Sequence, residues 1–186
     1  MIFPIRFVYK KKKVILISPM RTFLFIVLLP AYFFGQEFPY GWTGTYHGEM
    51  QITSGNKKTS VSVALEIREK VKDSSWIYKM TYQAPSGEVV KDYQIIKKND
   101  SEFIMDEGAI KIGMRYVDNT FFDYYQVDST FYTSTLRKTG KNTLHFDIYG
   151  GSIGEKNKLT TNEESFFVHS YLPTFVQSVR LKRKKK

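Results

Sequence analysis

The chain of 186 residues contains no cysteine. Disulfides, thiolate nucleophiles and cysteine-based zinc sites are excluded together, as is the lipid-attachment cysteine of a bacterial lipoprotein. Histidine is scarce too. His47, His145 and His169 are the only three, and no two share the spacing of metal ligands. By alternation His47 and His145 point away from the apolar face, which makes them surface or rim residues. No segment has a helical period, and no cofactor motif is present.

A charge of one sign is missing from most of the chain, despite a formal net charge of +10. Residues 1–35 hold six Lys/Arg and no acid, and Arg180–Lys186 holds six more. What lies between has 16 basic residues against 18 acidic ones, a net −2. The basicity belongs to the two ends and not to a domain face, so it gives no case for nucleic-acid binding. The last five residues, 182–186, read as a solvated basic tail.

Thr22–Phe34 is an apolar run of thirteen residues behind Met20-Arg21 and ahead of Gly35-Gln36. It falls short of the ~20 residues of a membrane-spanning helix. A basic start, a short apolar segment and a small residue before a polar one describe a secretory signal peptide. The expected organisation is an over-long extension at 1–19, a signal peptide at 20–35 cleaved after Gly35, and a mature domain at 36–181. The protein is then secreted or periplasmic, and touches a membrane only through an uncleaved N-terminus.

What the mature chain does have is alternation. In Trp42–Ile52 the even positions are Trp, Gly, Tyr, Gly, Met and Ile, and the odd ones are Thr, Thr, His, Glu and Gln. That is a half-buried strand, with glycines on the apolar face where a neighbour approaches or the sheet curves. Val61, Val63, Leu65 and Ile67 repeat the pattern, as do Trp76, Tyr78, Met80 and Tyr82. Turn clusters such as Ser54-Gly55-Asn56, Pro85-Ser86-Gly87, Asp118-Asn119 and Asp128-Ser129 punctuate the chain every nine to twelve residues. Short connections predict an all-β, antiparallel up-and-down barrel of about 8–10 strands. Residues 150–164 break the rhythm as one long loop. The final alternating segment, Phe175–Leu181, is expected to pair with the first strand and so remove both free edges.

Catalytic patterns do not survive this fold. Gly150-Gly151-Ser152-Ile153-Gly154 matches the G-x-S-x-G of serine hydrolases, but that motif needs a strand-to-helix turn on a mixed sheet. Asp106 and Glu107 are adjacent on a strand end and point to opposite faces; Asp106 reads as a turn acceptor. Asp92 and Asp123 stand inside strands and are expected to face solvent. If buried, either would require a partner such as Lys91 or Arg115, and would mark a pocket. The tyrosines Tyr46, Tyr78, Tyr82, Tyr93, Tyr116 and Tyr132 fall mainly on the core face. They are either ordinary core or the aromatic wall of a cavity for an amphipathic molecule.

Gly41-Trp42-Thr43-Gly44-Thr45-Tyr46 at the first strand, together with Arg180 in the last, resembles the calycin barrels: lipocalins, fatty-acid-binding proteins and their bacterial relatives. The resemblance implies a base plug in which Arg180 covers Trp42. It implies no particular ligand, because Tyr40 stands where the lipocalin G-x-W has glycine. The expected function is a non-enzymatic β-barrel binding a small apolar or amphipathic molecule. The other reading is a filled barrel that serves as an interaction or structural module in the cell envelope.

Overall fold

The computed structural model describes residues 38–154, 158–163 and 166–184. The expected extension (1–19), the signal peptide (20–35) and its cleavage point lie outside the described residues. The strands are β1 (Gly44–Ser54), β2 (Lys57–Val71), β3 (Ser75–Ala84), β4 (Gly87–Lys97), β5 (Glu102–Asp106) and β6 (Lys111–Val117), followed by β7 (Thr120–Val127), β8 (Thr130–Gly140), β9 (Thr143–Ser152), β10 (Lys158–Glu163), β11 (Phe166–Tyr171) and β12 (Phe175–Arg183). Ten of them form a closed antiparallel barrel in the order β1-β12-β9-β8-β7-β6-β5-β4-β3-β2. No helix occurs among the described residues. The up-and-down barrel predicted by the alternation is the fold.

Turn chemistry sets the meander. Asp118 and Asn119 have φ of 47° and 59°, and they form the whole two-residue link between β6 and β7. Positive φ at both central positions matches the right-handed twist of the flanking strands, and Asp and Asn tolerate it better than most residues. Only the passage from β9 to β12 leaves the barrel, through the separate β10–β11 hairpin. The sequence reads 150–164 as a loop because Lys158–Glu163 carries one apolar residue, Leu159, and has no alternation to betray a strand.

Closure comes from β12, which pairs with β9 on one side and with β1 on the other, from Tyr46↔Arg183 to Ser54↔Phe175. Gly48 makes this approach possible. A Cβ there would lie 2.5 Å from the Arg180 carbonyl oxygen and 2.7 Å from the Val179 side chain. The strand also runs two residues beyond the expected domain end at 181. Lys184 N–H donates to the Thr45 carbonyl at 2.9 Å, so the start of the basic tail belongs to the wall.

One end of the interior is solid. Phe38, just ahead of β1, inserts its ring among Trp42, Trp76, Phe103 and Phe121, with centroid separations of 5.7, 4.6, 5.5 and 4.9 Å in edge-to-face geometry. Its N–H donates to Tyr116 Oη at 2.8 Å. Edge-to-face contacts among large rings fill this end with attractive quadrupole geometry on top of area burial.

Gly48→Ala is expected to lower stability by about 1–3 kcal/mol, the cost of forcing an extra carbon into a packed seam. The matched control is Gly113→Ala, whose new Cβ meets nothing within 4 Å. It should shift stability by less than about 0.5 kcal/mol in the same denaturant titration.

Candidate functional site

The opposite end is hollow. A cavity of about 320 Å³ is enclosed by inward residues of β3 through β9, among them Tyr78, Tyr82, Tyr93, Asp123, Tyr125 and Tyr132. Met80, Met105, Ser134, Phe146 and Ile148 complete the floor and sides. Two tyrosine pairs stack across neighbouring strands. Tyr78 and Tyr93 lie 6.4 Å apart and 8° from parallel, while Tyr125 and Tyr132 lie 5.1 Å apart at 9°. Each pair is a directly opposed cross-strand couple in register, Tyr78↔Tyr93 and Tyr125↔Tyr132.

The mouth opens where the wall is lowest. β5 and β6 are five and seven residues long, the shortest strands of the barrel. β4 pairs with β5 only over Gln94–Lys97, and β6 pairs with β7 only over Arg115–Val117. The first half of β4 and the second half of β7 thus stand above the β5–β6 hairpin. Lys91, Glu107, Ile110 and Val127 form the rim of that notch. Asp106 holds the hairpin turn, accepting from Gly108 N–H at 2.7 Å and from Lys111 Nζ at 2.6 Å. This is the turn-acceptor role expected of it.

Asp123 is where the structure departs most usefully from the sequence reading. It faces inward, half-buried, between Phe121 and Tyr125 on β7, and not outward to solvent. Ser134 Oγ donates to one carboxylate oxygen, Oδ2, at 2.6 Å. The other, Oδ1, is buried and has no hydrogen-bond partner. Neither Lys91 nor Arg115 reaches it. Lys91 lies 4.0 Å from Glu107, and Arg115 pairs with Glu102 at 3.1 Å on the outer surface. Burial pushes the Asp123 pKa up, opposed by the hydrogen bonds from Ser134. Burial also lifts the phenols: Tyr82, Tyr93 and Tyr125 are pushed up to about 12, and Tyr78 is raised well above its usual value. At neutral pH the walls therefore present uncharged hydroxyls around one desolvated carboxyl. Asp92, by contrast, is exposed, as the sequence led one to expect.

The six expected cavity tyrosines divide between the two ends. Tyr78, Tyr82 and Tyr93 line the cavity. Tyr46 and Tyr116 are buried in the solid end, where Tyr46 Oη donates to the Trp42 carbonyl at 2.8 Å. Tyr132, the sixth, lines the cavity as well, and so does Tyr125, which was not among them. The signal for Tyr125 was the alternation of Phe121, Asp123 and Tyr125 on one face of β7.

The base plug is built from a different arginine. Arg180 projects outward and is exposed, opposite His145 in the β12–β9 ladder. Arg183 is the residue at the inward parity of Val179 and Leu181. Its guanidinium carbon lies 5.1 Å from the centroid of the Tyr46 ring. Arg183 also donates to Tyr46 Oη, at 2.6 Å from Nη2, and to the Gly41 carbonyl. Trp42 is fully buried behind this lock but is not the ring that Arg183 covers.

The rejected chemistry also finds structural explanations. Gly150 and Gly151 exist for packing: a Cβ on the first would lie 2.1 Å from the Phe131 carbonyl oxygen, and on the second 2.5 Å from that of Leu172. Ser152 ends a strand, with its Oγ accepting from Gly154 N–H at 3.2 Å. On the outer wall, His145 Nε2 faces both Asp147 Oδ1 and Ser178 Oγ at 3.2 Å. One ring nitrogen cannot both accept a serine proton and be held by the orienting acid, so this trio is not a relay. Among the described residues no three His, Asp or Glu gather as a metal site requires.

The raised pKa of Asp123 means that the native state holds its proton more tightly than the unfolded chain does. Stability is thus lost as pH climbs from the ordinary aspartate value through the raised one. Asp123→Asn keeps an acceptor for Ser134 and removes the desolvated charge. It should melt a few degrees higher than wild type at neutral pH, with the gap closing below the ordinary aspartate range; thermal melts across pH check the sign.

Several solved structures share the fold, among them two of low sequence identity. The S-type phycobiliprotein lyase CPES from Guillardia theta is 8% identical with a TM-score of 0.56, covering 78% of this chain and 90% of that one. A protein of unknown function of the DUF3598 family from Nostoc punctiforme is 11% identical with a TM-score of 0.53, covering 77% of this chain and 48% of that one. No protein-family model matches the chain, and no curated protein matches its sequence. At such identities the likeness is one of fold alone.

Proposed function

We propose that the protein binds a small, largely apolar molecule in the open end of its barrel, and that it acts outside the cytoplasm as a binding protein rather than an enzyme. The observation that carries this reading is the cavity itself, walled by two stacked tyrosine pairs. Its roughly 320 Å³ stands at the lower end of the range that small-molecule sites occupy. The walls combine apolar area from Met80, Met105, Phe146 and Ile148 with fixed phenolic hydroxyls, the mixture that orients an amphipathic guest. The solid end behind Phe38 gives the cavity a rigid floor, and the low β5–β6 hairpin gives it an entrance. The fold likeness to a phycobiliprotein lyase supports a barrel that takes a ligand. The signal-like segment at 20–35 supports an extracytoplasmic site of action. A filled barrel describes only the Phe38 end.

A neutral, polarity-sensitive dye such as prodan should gain fluorescence with native protein and be displaceable from it. Ile148→Trp, which thrusts an indole into the cavity, should weaken that binding about tenfold or more while the protein stays folded. Tyr124→Ala, at a side chain 75% exposed on the outer wall, should leave it unchanged. Loss of dye binding in the Tyr124 variant, or no displaceable binding to wild type, would defeat the proposal.

A further inference from the structure

Three buried polar atoms among the described residues lack a partner: Trp42 Nε1, Trp76 Nε1 and Asp123 Oδ1. The two indole nitrogens are packed in the solid end, each among aromatic rings. Of the three residues, Asp123 alone lines the cavity. Its carboxylate is held from behind by Ser134 Oγ at 2.6 Å, so its orientation is fixed and one acceptor is left over. The charges facing the cavity are Asp123 on β7, Lys91 on β4 and Glu107 in the β5–β6 turn. Lys91 and Glu107 offset each other at the rim, 4.0 Å apart, which leaves Asp123 uncompensated. Around it stand Tyr78, Tyr82, Tyr125 and Tyr132.

We infer that the molecule bound in this cavity carries a protonated nitrogen, seated against the Asp123 carboxylate inside the tyrosine cage; the inference rests on the cavity binding a small molecule at all. An anionic head would approach a partly desolvated carboxylate and be repelled. A head without a donor would leave the oxygen as unsatisfied as it now is, forgoing the charge-assisted bond that is the strongest contact on offer. Aromatic faces add to the selection, because their negative quadrupoles attract a cation and do little for a neutral hydroxyl. The ligand class is therefore a compact amine with an aryl or alkyl body: the body lies on Met80, Phe146 and Ile148, and the ammonium lies at Asp123.

Competition against prodan with three molecules that share one body separates the possibilities: phenylbutylamine, phenylbutanol and phenylbutyric acid at neutral pH. The amine should compete about ten times or more better than the alcohol, the factor a charged hydrogen bond supplies, and the acid should be weakest. In Asp123→Asn the amine should fall to the level of the alcohol while the alcohol itself is unmoved. Asp123→Ser serves the same purpose should the first variant fold poorly. Equal competition by amine and alcohol in wild type, or an amine advantage that survives both substitutions, would overturn the inference while dye binding upholds the cavity. Absence of dye binding would remove both.

Discussion

The seam between β1 and β12 makes a container out of a ribbon. Until β12 reaches β1, the sheet has two edges of unpaired backbone and an apolar face that nothing covers. Once they meet, the same alternating residues become an inside and an outside. Gly48 lets the backbones approach, and Arg183 fastens the end of the seam by capping Tyr46. Burial raises the Tyr46 phenol above its ordinary value, and the guanidinium offsets only part of that rise. The first and last strands are therefore tied through one aromatic–cation contact and a short hydrogen-bonded chain that runs on to the Trp42 carbonyl.

Closure alone does not decide what fills the inside, and this barrel fills its two ends differently. At the Phe38 end, aromatic rings from β3, β5, β6 and β7 converge on a residue that is not in a strand at all. A single inserted ring does there what no wall residue reaches far enough to do. At the other end no described residue is inserted, and the tyrosines stack along the walls instead of across the lumen. Wall height reinforces the difference. A hairpin of five- and seven-residue strands among neighbours of eight to eleven leaves a notch on the cavity side.

The barrel was legible in the sequence because its signal is redundant: nearly every strand repeats the period of two, and nearly every link contains a turn residue with a physical reason to be there. The site was legible in part, and the misses share a cause. Parity along β12 already places Val179 and Leu181 inward, so Arg183 follows inward and Arg180 cannot. A resemblance that drew attention to the wrong arginine overrode the alternation. Asp123 failed the opposite way: a charge in a strand is expected to face water, yet Phe121 and Tyr125 on either side fix its side chain inward whatever its polarity. Which tyrosines sit at the solid end and which at the hollow one was never in the period. That division depends on how far along the barrel axis each one lies, and on where Phe38 docks from outside the strand pattern.

An inward aspartate in a barrel is costly to keep. The slot that it occupies on β7 would accept leucine by pattern, and the serine beneath it would accept alanine. Together those changes would turn the floor of the cavity into ordinary core. The structure has instead a carboxyl–hydroxyl pair set beside empty space, with burial working against the charge. Groups of this kind lower the stability of the fold that holds them, and they are characteristic of places where a protein meets something else. The closed end offsets that cost through the close edge-to-face packing of rings around Phe38, even though the Trp42 and Trp76 indole N–H groups there are left without partners. The division of labour thus runs along the barrel axis: one end makes the protein stable enough for the other end to keep an unpaired acceptor in a tyrosine-lined hollow.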